Sequence, residues 1–315
     1  MGNESKQLLT PESDALFDRI REDIALTGWN LGSVDEAKHV LRSVISDAEY
    51  SENSAVVQSR AEILKGWRYL EYWFFEGAPL SVQIACYVGL KAGLLIAPKD
   101  SAQRVNEFFA FFEQQIAFKV ALNQSETVGG WLFPGEPELF WEVTQRVAKV
   151  PGDLCEIGSW LGRSTILLAS ACSTLSPEKK LHVIDDWNYG GQPETYPYLT
   201  ANRRLKEEFD QNLRPWQSIL TVHQGAFHTV HPDLGAACKD GFSFIFHDAG
   251  HTPQDFMRDL PLIESLLNSR GVLLIHDYAW EPFGESREVI DRWISANERF
   301  TMEKIVGWCA VIGSK

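Results

Sequence analysis

The sequence predicts an α/β protein whose larger part is a mostly parallel sheet, wound with helices on both faces. From Leu154 onwards, short apolar segments alternate with helical segments, an order typical of parallel sheets. The first 125 residues instead carry apolar residues at helical spacing. The 315 residues also exceed a typical single domain. We therefore expect a helical N-terminal region at 1–125 and an α/β domain at 126–315.

The predicted elements of the α/β domain follow one another in a regular order. Strands are predicted at Leu154–Ile157, Leu181–Ile184, Ile219–His223, Phe242–Phe246 and Gly271–Ile275, with a final pair near Phe300–Ile305 and Trp308–Ile312. Helices are predicted at Glu138–Ala148, Ser164–Ala171, Thr200–Asn212, Pro253–Asn268 and Glu285–Asn297. Gln124–Gly135 has the Gly and Pro content of a linker. His228 and His231 have the spacing of a metal-ligand pair, but Pro232 follows them and favours a loop.

The composition excludes several partners. A net charge of -14 makes nucleic acid an unsuitable partner, because an acidic surface repels phosphates. No apolar run reaches the roughly 20 residues that span a membrane, and the N-terminus lacks a secretory signal. The five cysteines are widely spaced and form no C-x-x-C pair. They are typical of reduced core residues in a cytoplasmic protein, rather than of a disulfide framework or a zinc site.

The helical region at 1–125 carries few signs of chemistry. Aromatic residues cluster around Trp73 at the end of a predicted helix. Such a cluster could line a substrate pocket, but it more often forms a packing core or a subunit interface. Our working hypothesis is a lid over the site or a dimerisation surface.

The stretch from Leu154 to Asp185 is a strand, a glycine turn, a helix and a second strand that ends on an acid. This unit binds nucleotide-like cofactors, because glycines let the backbone approach a ligand and the acid can accept the ribose hydroxyls. The turn lacks the G-x-G-x-x-G pattern of dinucleotide folds, which argues against an NAD-type oxidoreductase. Glu156 stands before the first glycine, where it would repel a pyrophosphate but suit an ammonium group. An ordinary buried strand–helix–strand unit, with glycines used for packing, remains the alternative.

The segment E-I-G-S-x-x-G-R-S-T, which starts at Glu156, resembles class I S-adenosylmethionine (SAM)-dependent methyltransferases. Within them it is similar to the metal-dependent O-methyltransferases of the macrocin and novobiocin type, and the resemblance runs from near Gly130 to the C-terminus. Trp160 replaces the usual middle glycine. The resemblance implies a Rossmann-like methyltransferase sheet with an antiparallel edge, and SAM as cofactor. The residues expected to bind it are Glu156, Gly158, Ser159, Gly162, Ser164, Asp185, Trp187, Ala226 and Asp248.

Two further strands end in the pairs Asp248/His251 and His276/Asp277, and the two aspartates lie one strand–helix–strand crossover apart. Carboxylates on adjacent strand tips suit Mg²⁺ or another divalent ion, which could hold and acidify a substrate hydroxyl. His251 is then the candidate base. Asp248 could instead be a buried acid bonded to backbone, and His251 a residue facing water.

The resembling family has the same layout, with a histidine base and metal ligands at both strand ends. It commonly shows two carboxyl or amide ligands where this chain has His276 and Asp277. Histidine binds Mg²⁺ poorly and Mn²⁺, Fe²⁺ or Zn²⁺ better. Either His276 is not a ligand, therefore, or the preferred metal differs.

Together these features predict a SAM-dependent, divalent-metal-assisted O-methyltransferase acting on a hydroxyl of a small molecule, such as a natural product or its sugar. We expect a homo-oligomer, a dimer formed through the N-terminal helices. Two alternatives stay open: a SAM-fold protein that acts as a binding or assembly partner, and a SAM site reused for a reaction other than methyl transfer.

Overall fold

The computed structural model of the protein describes residue 114 and residues 116–188 and 204–315. Ala121–Lys315 form one compact unit. The predicted helical region and its aromatic cluster lie almost entirely outside the described residues. The suggested lid or dimerisation role of this region therefore rests on residues outside the described part of the chain. Those interpretations stay predictions.

One sheet of seven strands organises the described part of the chain. The strands are β1 (Asp153–Ile157), β2 (Leu181–Asp185), β3 (Leu220–Gln224), β4 (Phe242–His247), β5 (Leu267–Ile275), β6 (Phe300–Val306) and β7 (Cys309–Ser314). They lie in the order β3-β2-β1-β4-β5-β7-β6. β1 to β5 are parallel to their neighbours, whereas β7 is antiparallel to both β5 and β6. The predicted mostly parallel sheet with an antiparallel edge is confirmed.

Helices cover both faces of the sheet. They are α1 (Glu136–Val147), α2 (Arg163–Leu175), α3 (Leu205–Asn212), α4 (Phe227–Ala237), α5 (Pro253–Leu266) and α6 (Gly284–Ala296). Every residue of β4 is buried, because one face packs on each layer. Phe244 and Phe246 belong to the core on the α1 and α2 side, while Ile245 belongs to the core with α4 and α5. No helix in the described ranges is long and apolar enough to cross a bilayer.

The prediction of a loop around His228 and His231 is wrong, because both residues lie in α4. Pro232 sits inside this helix at the cost of a backbone hydrogen bond. Phe227 and Leu234 are buried in the core that α4 and α5 form with Ile245, and this burial outweighs the cost of the proline. His231 Nε2 lies 3.0 Å from Ser265 Oγ of α5, so its ring is engaged in helix packing.

Candidate active site

The carboxyl ends of β1, β2, β4 and β5 meet at one edge of the sheet. In the register, Ile157 of β1 pairs with Ile184 of β2 on one side and with His247 of β4 on the other. His247 in turn pairs with Ile275 of β5. The residues that follow these strands are therefore neighbours, as expected for the ligand-binding edge of an open parallel sheet. All the predicted site residues are among the described residues.

The glycine turn between β1 and α2 is shaped by its packing against the rest of the domain. Gly158 has φ 86°, and a Cβ atom there would lie 2.2 Å from the backbone oxygen of Asp248. Gly162 has φ 89°, and a Cβ atom there would lie 2.2 Å from Leu213 Cδ2. Both positions need glycine because the protein itself fills the space beside them. The structure thus gives these glycines a packing role in addition to any approach to a ligand.

Asp185 at the end of β2 holds the glycine turn in place. Its Oδ2 atom accepts hydrogen bonds from the backbone N–H groups of Ser159 and Trp160, each at 2.7 Å. Its Oδ1 atom accepts one from the N–H of Trp187, also at 2.7 Å. Charge-assisted bonds of this kind are strong and fix the turn. Because Oδ2 serves the turn, Oδ1 is the oxygen with more capacity left for a ribose hydroxyl, a role that stays a prediction.

Glu156 lies behind the turn rather than in front of it. Its side chain is fully buried, and its two oxygens accept hydrogen bonds from Ser164 Oγ and Thr165 Oγ1 at the start of α2, each at 2.5 Å. Burial raises the pKa of Glu156 to about 8, against the opposing effect of the two hydroxyl donors. The predicted cofactor contacts of Glu156 and Ser164 stay predictions. The structure adds that these two side chains join β1 to α2.

Aromatic rings border the turn. Trp160 stacks on Trp131 with ring centroids 5.7 Å apart. Trp187, which has φ 47°, donates its Nε1–H to the backbone oxygen of Trp160 at 2.8 Å and packs on Phe209. This places Trp187 beside the turn, and its predicted contact with the cofactor stays a prediction. Ala226, another predicted cofactor residue, is in an extended conformation and precedes α4, after β3.

The ends of β4 and β5 bring two acids and two histidines together. Nδ1 of His276 lies 3.3 Å from Asp248 Oδ1 and 3.2 Å from Asp277 Oδ1. Nδ1 of His251 lies 3.5 Å from Asp277 Oδ2, and the His251 side chain is 41% exposed. Asp277 adopts φ 58°, an uncommon conformation for an acid. The sequence predicted this cluster from strand ends alone, and the structure assembles it.

Glu136, at the start of α1, is the site residue that the sequence did not indicate. It is fully buried, and its Oε2 lies 3.2 Å from Nε2 of His276. Backbone N–H groups of Phe133 and Trp308 donate to its two oxygens at 2.8 and 2.7 Å. Glu136 is 140 residues away from His276, and no local pattern connects them. Only the fold places this acid behind the strand tips.

The cluster suits a divalent metal ion that has one nitrogen and two oxygen ligands from the protein. Single ligand atoms of Asp248, His276 and Asp277 all lie within 4.8 Å of one another. Nδ1 of His276 is buried and faces both carboxylates without a well-directed hydrogen bond. The second ring nitrogen of a metal-bound histidine normally donates its N–H to a carboxylate or carbonyl oxygen. Glu136 is in the position of that acceptor. The residues present therefore fit such an ion.

Comparison with known proteins identifies the family of part of the chain. Residues 155–278 match the family model described as a methyltransferase domain. This segment runs from β1 past β5, so it contains the glycine turn and both acid-bearing strand ends. The chain thus contains a methyltransferase domain, and the predicted methyltransferase is confirmed. No curated protein matches the sequence.

Several solved O-methyltransferase structures are similar to the chain at low identity. The O-methyltransferase from Bacillus cereus in complex with SAH is 15% identical over 71% of this chain and 96% of that chain, with a TM-score of 0.46. TomG from Streptomyces achromogenes, involved in Tomaymycin synthesis and solved in complex with SAM, is 16% identical over 63% and 88%, with a TM-score of 0.47. NovP is 19% identical over 57% and 79%, with a TM-score of 0.45.

Proposed function

We propose that the protein transfers the methyl group of SAM to a hydroxyl oxygen of a small molecule, with the help of a divalent metal ion. The cluster of Asp248, His251, His276 and Asp277 beside the glycine turn of a methyltransferase domain carries this proposal. We further propose a natural product or its sugar as the acceptor, and a homo-oligomer formed through residues 1–125. The net charge of -14 supports a small-molecule acceptor over nucleic acid.

The glycine turn and Asp185 would bind the cofactor. The backbone bonds from Ser159 and Trp160 to Asp185 fix the turn before any ligand arrives, which lowers the ordering cost of binding. Trp187 and Trp160 supply flat apolar surface beside it. Asp248 directly follows β4, and its backbone oxygen lies beside Gly158, so the acid cluster that includes Asp248 borders the glycine turn.

His251 would take the proton from the acceptor hydroxyl. Its Nδ1 faces Asp277, and its Nε2 is left to face the substrate. Asp277 would hold the ring and stabilise the positive charge that it gains. As the proton moves to His251, the hydroxyl oxygen forms its bond to the methyl carbon and the S–CH₃ bond breaks, which leaves S-adenosylhomocysteine.

Asp248, Asp277 and Nδ1 of His276 would hold the metal ion, which when bound lowers the pKa of the acceptor hydroxyl and orients it. Glu136 would keep the His276 ring turned towards the ion. The nitrogen ligand favours Mn²⁺, Fe²⁺, Co²⁺ or Zn²⁺ over Mg²⁺. Of the two options left by the sequence, the proposal therefore takes the one in which His276 is a ligand and the preferred metal differs from Mg²⁺.

A metal-free form of the same reaction is the second candidate. Burial lowers the pKa of His276. The neighbouring carboxylates raise it by more, Asp248 first and then Asp277 and Glu136. The pKa of His276 therefore lies well above its usual range. A protonated His276 would place a positive charge where the ion would sit. The ion must then displace this proton, so metal affinity should rise with pH.

The test is calorimetric titration of the full chain with SAM, in the presence of Mn²⁺, in the presence of Mg²⁺ and without metal, followed by S-adenosylhomocysteine release with a panel of hydroxyl-bearing acceptors. We expect micromolar SAM binding, a separate Mn²⁺ signal stronger than that of Mg²⁺, and turnover that chelator abolishes. Turnover that is unchanged in chelator would favour the protonated His276. Absence of SAM binding under all conditions would refute the proposed function.

A further inference from the structure

We propose a second metal site, formed by Asp153, His182 and Cys238 at the opposite edge of the sheet, that takes Zn²⁺. Asp153 begins β1, His182 is the second residue of β2, and Cys238 directly follows α4. The site is therefore at the amino ends of the strands, away from the methyl-transfer chemistry. The proposal does not depend on the proposed function. It revises the expectation that the cysteines are core residues alone.

Two of the three distances between the donor atoms already match a tetrahedral zinc site. Asp153 Oδ2 lies 3.3 Å from His182 Nε2 and 3.7 Å from Cys238 Sγ, and all three atoms lie within 4.8 Å of one another. Zinc bonds of about 2.0–2.3 Å at tetrahedral angles separate neighbouring ligand atoms by roughly 3.3–3.8 Å. One oxygen, one imidazole nitrogen and one sulfur also make a set that Zn²⁺ accepts and that Mg²⁺ and Ca²⁺ do not.

A second layer of contacts orients two of the three ligands. Nδ1 of His182 lies 3.0 Å from Nε2 of His223, which leaves Nε2 of His182 to face Asp153 and Cys238. The other oxygen of Asp153, Oδ1, accepts the backbone N–H of Lys180 at 2.9 Å. A metal-bound histidine commonly has its other ring nitrogen held by a hydrogen-bonding partner, and His223 is in that position. His182 is 4% exposed, and its ring has little freedom to leave this arrangement.

A surface cavity gives an ion access to the site. It measures about 550 Å³ and is bordered by Gly152, Asp153, Lys179, Cys238 and Asp240. With three protein ligands, the fourth position of a tetrahedral ion would be left for water or a small ligand from this cavity. On binding, the Sγ–Zn bond forms and the thiol proton passes to solvent.

The competing account is a hydrogen-bonded cluster that binds no metal. In it the Cys238 thiol donates to Gly241 O at 3.0 Å and to Asp153 Oδ2 at 3.7 Å, and Asp153 accepts from His182. Both accounts predict that the three residues support folding. They differ in one respect, which is whether a thiolate–metal bond can form at Cys238.

The experiment uses the metal-free full chain and Co²⁺, which gives a near-ultraviolet absorption band when bound to a thiolate. We expect this band in the unchanged protein, its loss on addition of Zn²⁺, and its absence in Cys238→Ser. Cys309→Ser is the matched control, because Cys309 is also buried beside a histidine and an acid, His276 and Glu136. The control should keep the band. Absence of the band in the unchanged protein, or its loss in the control alone, would overturn the proposal.

Zinc affinity gives a second measurement. His182→Gln should weaken Zn²⁺ binding by at least about 100-fold, and His223→Gln, which removes only the orienting contact, by about 10–100-fold. His228→Gln, an exposed histidine of α4, should change nothing. If these variants bind like the unchanged protein, the proposal fails.

Alkylation of Cys238 tests the unchanged chain, in case the variants do not fold. Zn²⁺ should slow the modification of this thiol by iodoacetamide at least about tenfold, as followed by peptide mass spectrometry. An unchanged rate would also overturn the proposal.

Discussion

At the tips of β1 and β2 the acids are bound by the protein itself, whereas at the tips of β4 and β5 they face one another across an imidazole. The carboxylate oxygens of Glu156 accept hydrogen bonds from α2, and those of Asp185 accept hydrogen bonds from the glycine turn. Asp248 and Asp277 converge on His276 and stay partly exposed, at 27% and 16% of their side chains. The first pair makes the glycine turn rigid, which our proposal uses for cofactor binding. The second pair keeps carboxylate oxygens close together, which our proposal uses for a positively charged ion.

Replacing Asp277 with asparagine should reduce turnover more than any other change proposed at the strand tips. The variant removes one negative charge from the cluster and the partner of His251, so turnover should fall by at least about 100-fold. SAM affinity should stay within about twofold, because the glycine turn is unaffected. Single-turnover kinetics and calorimetry measure the two quantities. Asp210→Asn on α3, an exposed acid paired with Lys206, is the control and should change neither.

Gly158→Ala should damage the other half of the site by destabilising the fold. A Cβ atom at this position would meet a backbone oxygen at 2.2 Å in a left-handed conformation, so we expect the free energy of unfolding to fall by about 3 kcal/mol or more. Gly235→Ala in α4 is the matched control. Nothing lies within 4 Å of its Cβ position, and the helix should gain about 0.5–1 kcal/mol. Equal denaturation midpoints for the two variants would contradict the packing role of Gly158.

Glu156→Gln should change the pH dependence of stability. The pKa of Glu156 is raised to about 8 in the folded state from an ordinary value of 4.5. Between these values the folded chain holds a proton that the unfolded chain has lost, so stability falls as pH rises, by up to ~1.4 kcal/mol per pH unit. The glutamine variant lacks this slope. Urea unfolding at pH 5, 6, 7 and 8 should show the unchanged protein losing stability relative to the variant, and parallel curves would contradict the burial argument.

Glu136→Gln should weaken metal binding by about 10–100-fold, because it removes the carboxylate that orients His276. SAM affinity should not change. Glu142→Gln is the matched control on the same helix, since Glu142 is exposed and pairs with Lys304. Mn²⁺ titration of both variants measures the two affinities. Equal affinities would mean that Glu136 serves only to pack α1 against the β6–β7 turn.

The sheet and the acid cluster were predictable because each strand end is a local pattern, an apolar segment followed at once by an acid or a histidine. The register of β4 and β5 then had to bring Asp248 and His276 together. Three features were not predictable. The role of Glu136 depends on a contact across 140 residues, and α4 forms because buried Phe227 and Leu234 outweigh the effect of Pro232. The inward direction of Glu156 follows from its two hydroxyl partners in α2, which the spacing alone does not reveal.

Pulsed electron paramagnetic resonance of bound Mn²⁺ distinguishes whether His276 is a metal ligand at the tips of β4 and β5. We predict a ¹⁴N coupling from a bound imidazole in the unchanged protein. The coupling should be lost in His276→Asp and kept in His182→Gln, which removes the histidine of the opposite edge. Bound Mn²⁺ without nitrogen coupling, or coupling that survives in His276→Asp, would contradict the account.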